Sequence, residues 1–345
     1  MELLPTVWFI AIAVLWIGYL VLDGFDLGVG MHMLVSTRDE RDRRVMLNTI
    51  GPVWDGNEVW VITAGAGTFA AFPLWYASLF STLYLPLVFV LLGLILRAVS
   101  IEWRGKLVGQ RWTTAWTWAI GVGSFLAAFG VGAALALTTT GLPIDANGDR
   151  VGGPFAFLTP AAVVGGLAVV GFCFVHAAVF LALKADGPVR ELGRRVMARW
   201  SPVLLLPIVV WVLWVQIASG DLLSWTLVVL AVVAVVAGWI ANRRGREGWA
   251  FTGVAAFLIA GAGSIFAAVY PVVLPSTIDP AFSLTAADAA SGDYTLGVMS
   301  VVALVGLPIV LAYQAWTYWV FRRRVSPQHI PEAHAFLPAV RAEPR

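Results

Sequence analysis

The chain is poor in charge and in cysteine. Charged residues fill 12% of its 345 positions, about half the share of a soluble globular domain. The one cysteine, Cys173, lies in the apolar stretch GFCFVH, which excludes a disulfide framework and any CxxC zinc or redox spacing. A formal net charge of +2 is too small for a nucleic-acid-binding surface, so no nucleic-acid partner is expected. Walker A, HExxH, GxSxG and dinucleotide fingerprints are missing, and no metal site is expected. A complete catalytic centre is therefore not expected in this chain, and redox chemistry would have to come from a cofactor or a partner.

What the chain has instead is apolar length. It is 60% hydrophobic, with mean hydropathy +0.85, and reads as an all-α, polytopic integral membrane protein. A helix needs about 20 apolar residues to cross the hydrocarbon. Nine stretches qualify: 5 to 35, 47 to 70, 75 to 99, 113 to 139, 155 to 183, 201 to 219, 222 to 241, 249 to 272 and 294 to 321. The start, MELLPTVWFIAIAVLWIGYLVL, is acidic rather than basic, too long for a signal core and without a cleavage site, so it reads as a retained helix. Alternate loops hold RDERDRR (38 to 44), the Arg97 to Arg111 segment, Lys184 to Arg199, NRRGRE (242 to 247) and the tail from Arg322. These carry every Lys and Arg except Arg150, which by the positive-inside rule places the N-terminus outside and the C-terminus in the cytoplasm. The 17 tryptophans, many at helix ends, suit interfacial anchoring. From Ser326 on, with four prolines and with His329 and His334, the tail reads as a disordered extension.

Four acids break the apolar pattern: Asp23 and Asp26 in DGFD, Asp55 and Glu58 in DGNE. Both motifs are Asp-Gly-x-acid, with the acids i, i+3 on one helix face. Asp26 precedes Arg38 by 12 residues and Asp55 follows Arg44 by 11; at a helical rise of about 1.5 Å, an antiparallel hairpin brings them level, roughly 16 to 18 Å from the joining loop. Gly24 and Gly28 form a GxxxG about 100 to 140 degrees around the helix from Asp23, so one face suits close packing and another presents carboxyls. Each such acid costs about 2.5 kcal/mol or more on insertion scales, and neither helix holds a Lys or Arg. Arg97, on the third helix, is a candidate partner, with snorkelling to the headgroups as the alternative. Groups that hold a proton yet can lose it make a proton path; the competing role is to hydrogen-bond helix one to helix two. His32 and His176 also lie on apolar segments, where a lone histidine is more often structural than a haem ligand.

On these residues the chain resembles subunit II, the smaller partner, of cytochrome bd-type quinol oxidases. The matching stretches are DGFDLGVG (23 to 30), MLNTIGPVWDGNEVWVITAGAGTFAAFP (46 to 73), YPVVLPS (270 to 276) and AWTYWVFRR (315 to 323). Trp54, Asn57 and Trp60 belong to the PVWDGNEVW signature, and Arg97 supports it. The resemblance implies quinol oxidation coupled to reduction of dioxygen to water in a bacterial cytoplasmic membrane. Haems b and d would be held mainly by the larger subunit I, with this chain as its stabilising partner in a pseudo-symmetric heterodimer. It also implies two four-helix bundles (1–140 and 141–272), an outer loop and ninth, peripheral helix (273–321) and a tail (322–345). A cytoplasmic proton route would pass through acids matching Asp55 and the Asp23/Asp26 pair; at Glu58 the family allows an amide. A bound quinone or lipid and small accessory subunits are further expectations. Arginine dominance, 20 against 2 lysines, suggests a GC-rich bacterium and hence menaquinol as donor. The alternatives are a standalone proton-coupled transporter with a substrate site marked by Pro271 and Pro275, and a purely structural assembly subunit.

Overall fold

The computed structural model describes residues 3–107 and 109–330. The expected extension from 331 on, with His334, lies outside the described residues. Along the chain run α1 (Leu3–Leu22), α2 (Gly24–Val35), α3 (Glu40–Ile50), α4 (Trp54–Ala71), α5 (Pro73–Thr82), α6 (Tyr84–Trp103) and α7 (Gln110–Thr140). Then follow α8 (Pro160–Lys184), α9 (Pro188–Leu204), α10 (Leu206–Ser219), α11 (Leu222–Arg243), α12 (Glu247–Val269), the single turn α13 (Ala286–Ala289) and α14 (Asp293–Val320). A short antiparallel pair, β1 (Val272–Leu274) with β2 (Leu284–Thr285), folds the loop between α12 and α14.

Among the described residues, eight helical segments are long and apolar enough to cross a membrane: α1 with α2, α6, α7, α8, α9 with α10, α11, α12 and α14. Helix α4, packed along α1, has 18 residues, but Asp55, Asn57 and Glu58 in its first turns lower its hydropathy. The chain is thus an all-α, polytopic membrane protein. Its centre is the α7–α8 pair, with α2 wedged against both. Glycines allow that fit: a Cβ on Gly28 would strike the Cys173 carbonyl and one on Gly30 the Ser124 hydroxyl. Ten of the residues of α2 are buried, including Asp26 and His32.

Three segments differ from the sequence expectation. RDERDRR is not a loop: Asp39 caps α3 by accepting from the N–H groups of Arg41 (2.7 Å) and Asp42 (3.1 Å), and Val45, Met46, Thr49 and Ile50 form its buried face. The expected second helix is therefore interrupted at Gly51–Val53, where Pro52 cannot continue the α3 ladder. The Lys184 to Arg199 segment is likewise mostly helix α9, with Val189, Gly193, Val196 and Met197 inward. In both cases high polarity hid an amphipathic period. The described part of the tail is not loose either. Val325 bridges to Ala185, Lys184 donates to the Phe321 and Arg323 carbonyls, Arg324 pairs with Asp186 at 3.1 Å, and Arg41 holds the Pro327 carbonyl at 2.9 Å. This strap fastens the end of α14 to α8 and α3.

Candidate functional site

Asp23 sits at the junction of α1 and α2, where the helical ladder passes through it: its N–H donates to the Tyr19 carbonyl (2.8 Å) and its own carbonyl accepts from Leu27 (2.9 Å). The side chain meets Arg97 of α6, with Nη2 2.6 Å from Oδ1 and Nη1 3.5 Å from Oδ2. Both side chains are fully buried, so Arg97 does not snorkel. The close α6–α7 approach, in which a Cβ on Gly123 would lie 3.0 Å from the Arg97 nitrogen, keeps its backbone deep in the bundle. A buried ion pair of this kind adds little net stability, but removing one partner strands the other charge.

Nη1 of the same guanidinium reaches Oε2 of Glu58 on α4 at 3.6 Å, with the Glu58 side chain 16% exposed. One helical turn along α2, Asp26 is fully buried and its Oδ2 accepts from Asn57 Nδ2 at 2.7 Å. Its other oxygen, Oδ1, has no hydrogen-bond partner, and neither does Arg97 Nε. Asn57 Oδ1 in turn accepts from Gln314 Nε2 and from the Tyr318 hydroxyl of α14, each at 2.8 Å. Two carboxyl groups thus contact one guanidinium, a third lies one helical turn along α2, and an amide joins that third acid to the far end of the chain.

Of the residues expected from sequence, the structure brings together Asp23, Asp26, Glu58, Asn57 and Arg97. It does not bring Asp55 in: that side chain is exposed on the outer face of α4. Asp26 meets Asn57 instead, two residues beyond Asp55, so the two helices are level much as the spacing indicated. Trp54 is half-buried, and Trp60 packs against Gly18 of α1. Gln314 and Tyr318 were missed as site residues. The available signal was a lone amide within an apolar 28-residue helix.

The two intramembrane histidines join helices. His32 engages the Ser36 hydroxyl at 2.7 Å and the Phe174 carbonyl at 2.9 Å, with Phe174 against its ring. His176 donates from Nε2 to the Val21 carbonyl at 2.9 Å and stacks between Phe172 and Phe251. Among the described residues no group of three or more His, Cys, Asp and Glu side chains could hold a metal ion.

The family model for cytochrome bd terminal oxidase subunit II matches residues 4–321. The chain belongs to that family. It is 37% identical over 332 residues to the cytochrome bd ubiquinol oxidase subunit 2 of Bacillus subtilis, covering 94% of this chain and 98% of that one. Against the cytochrome bd-I ubiquinol oxidase subunit 2 of Escherichia coli it is 32% identical over 370 residues, covering 95% and 97%. Its fold matches the structure of bd oxidase from Geobacillus thermodenitrificans with a TM-score of 0.76 at 19% identity, over 93% of this chain and 99% of that chain. The chain is accordingly a multi-pass subunit of a terminal oxidase, an oxidoreductase complex.

Such an oxidase implies haem, and the residues here do not fit one. His32 and His176 are already held by backbone carbonyls inside packed aromatic surroundings. The cavity beside Phe172, between α1, α7, α8, α10 and α12, measures about 30 Å³, the space of a water molecule rather than of a macrocycle, and among the described residues the larger grooves of about 420 Å³ beside Trp249 and about 460 Å³ beside Tyr318 are lined by no histidine, cysteine or methionine.

Proposed function

We propose that this chain is the smaller subunit of a quinol:dioxygen oxidoreductase, paired with a larger subunit I that ligates haems b and d. In this reading it stabilises that partner and carries protons to it from the cytoplasmic side through Asp23, Asp26, Asp55 and Glu58. The relatives matched end to end are named ubiquinol oxidase subunits, which supports the quinol class. The arginine-rich loops support nine crossings of the bacterial cytoplasmic membrane, with the N-terminus outside and α4 as the second crossing. The 1–140 and 141–272 regions would be the two four-helix bundles, with α14 as the ninth, peripheral helix.

The observation that carries the proton reading is the carboxyl set itself. One positive charge faces three acids, so the set reaches electroneutrality with two protons aboard, and full ionisation in lipid would be costly. The roles divide by geometry. Asp23 gives both oxygens to Arg97, so it anchors the set between helices as well as belonging to the path. Asp26 keeps one oxygen unpartnered, which makes it the proton carrier. Asp55 stands on an exposed face at membrane depth, where an acid costs about 2.5 kcal/mol or more in lipid; a partner subunit covering that face removes the cost and gives the proton its exit.

The test is oxygen consumption by assembled complexes with normal haem absorption. Asp26→Asn and Asp55→Asn each lower turnover by about a hundredfold, the low end of the range for losing a proton-transfer group. Unchanged turnover in both leaves only the helix-locking role. Purification of this chain with no haem-bearing partner, together with transport activity, overturns the oxidase assignment.

A further inference from the structure

Helix α14 is the least buried long helix: of its 28 residues only Leu296 is fully buried. Three attachments hold it. Trp8 Nε1 donates to the Ser300 hydroxyl at 3.0 Å near its start, the strap fastens its end, and between them Gln314 and Tyr318 converge on Asn57. Tyr318 has a second neighbour. It lines a groove of about 460 Å³ that opens between the α3–α4 turn, the end of α8 and the strap, with Asn48, Thr49, Lys184 and Arg322 among its walls. On one side of Tyr318 there is thus a groove roomy enough for water, and on the other, one amide away, the Asp26 carboxyl, whose Oδ1 has no partner.

The chemistry of that amide matters. Tyr318 O–H donates to Asn57 Oδ1, and an Asn57 N–H donates to Asp26 Oδ2. For a proton to travel this chain of bonds, the Asn57 carbonyl would have to take up one proton while an Asn57 N–H bond broke. A carboxamide has no ordinary protonation state that allows this. In the observed arrangement, therefore, Asn57 separates the groove from Asp26.

We propose that Gln314 and Tyr318 are a latch: they hold Asn57 across Asp26 and so control when the buried carboxyl set exchanges protons with water in the groove. This inference rests on the proton-path reading and assigns its entrance and regulation. With the latch closed, Asp26 is insulated. When α14 shifts or Asn57 turns away, water from the groove takes the place of the amide at Oδ2. A hydronium then transfers its proton to the Asp26 carboxylate and is left as water, while the reverse transfer empties it. Gln314, Tyr318 and Asn57 are positioning residues that act through Asp26. The strap ties the latch to the cytoplasmic surface, because the residues fastening α14 follow Tyr318 directly in the chain.

The test uses the whole complex and infrared spectroscopy. The carboxyl band of Asp26 is identified as the one that Asp26→Asn removes, and its hydrogen–deuterium exchange is timed after transfer to heavy water. Tyr318→Phe and Gln314→Leu each keep side-chain size, and haem absorption reports assembly; either variant alone suffices if the other fails to assemble. Each is expected to accelerate exchange by about fivefold, the change in opening equilibrium set by one lost hydrogen bond. Unchanged exchange overturns the latch. Slower exchange overturns it too, since Tyr318 would then be a relay. Asp26→Asn turnover tests the underlying proton reading separately: full turnover there removes that reading whatever the exchange rates show.

Discussion

DGFD and DGNE have the same pattern and opposite surroundings. Asp23 and Asp26 are fully buried, because α2 is enclosed by α7 and α8. Asp55 is exposed, and Glu58 keeps 16% of its side chain open, because α4 packs along α1 and leaves its other face bare. The motif glycines tell the same story. A Cβ on Gly24 would come within 3.3 Å of the Phe172 ring and 3.5 Å of the Cys173 sulfur, whereas one on Gly56 meets only the end of Gln314, at 3.5 Å. The first motif is thus a packing element that also carries acids. The second is a surface element that offers its acids to whatever lies beside it.

The variants that test this contrast fall in order of size. Arg97→Leu leaves Asp23 buried without its counter-charge and should cost about 3–5 kcal/mol, seen as loss of assembled complex. Asp23→Asn with Arg97→Leu should recover much of that loss, and a double variant as unstable as the single would mean the pair is not what matters. Gly28→Ala drives a Cβ into the Cys173 carbonyl and should lower stability by about 1–3 kcal/mol, measured by thermal melting of the complex. Glu58→Gln touches only a long, partly exposed contact to Arg97 and should change stability by less than about 1 kcal/mol. Gly56→Ala should be neutral or stabilising by up to about 1 kcal/mol, since helix propensity improves and the added Cβ makes only an ordinary contact with Gln314. A large loss from Gly56→Ala would erase the contrast between the motifs.

Much of this site was legible in the sequence, because four acids in apolar helices are conspicuous and their i, i+3 spacing sets their faces. The level at which the helices meet followed from the distances to the loop arginines, with Asn57 rather than Asp55 opposite Asp26. Which acids would be enclosed was not legible, since enclosure depends on α7 and α8, far along the chain. Arg97 stood among residues that suited either a partner or a snorkelling end; the tight α6–α7 contact decides it. The Gln314 to Asn57 bond spans 257 positions, and no local pattern signals it. Helices α3 and α9 were hidden for another reason: their charges mark them as loops unless the few apolar residues are read at helical period.

The central claim is that the buried carboxyl set carries protons for a reaction on the partner subunit. Its most direct test is proton uptake, followed with a pH-sensitive dye, when the reduced complex meets oxygen in a single turnover. In Asp26→Asn with unaltered haem absorption, uptake should slow by about a hundredfold, while Glu58→Gln keeps its assembly and stability. Uptake at the wild-type rate in Asp26→Asn would contradict the account and leave the set as a lock between helices.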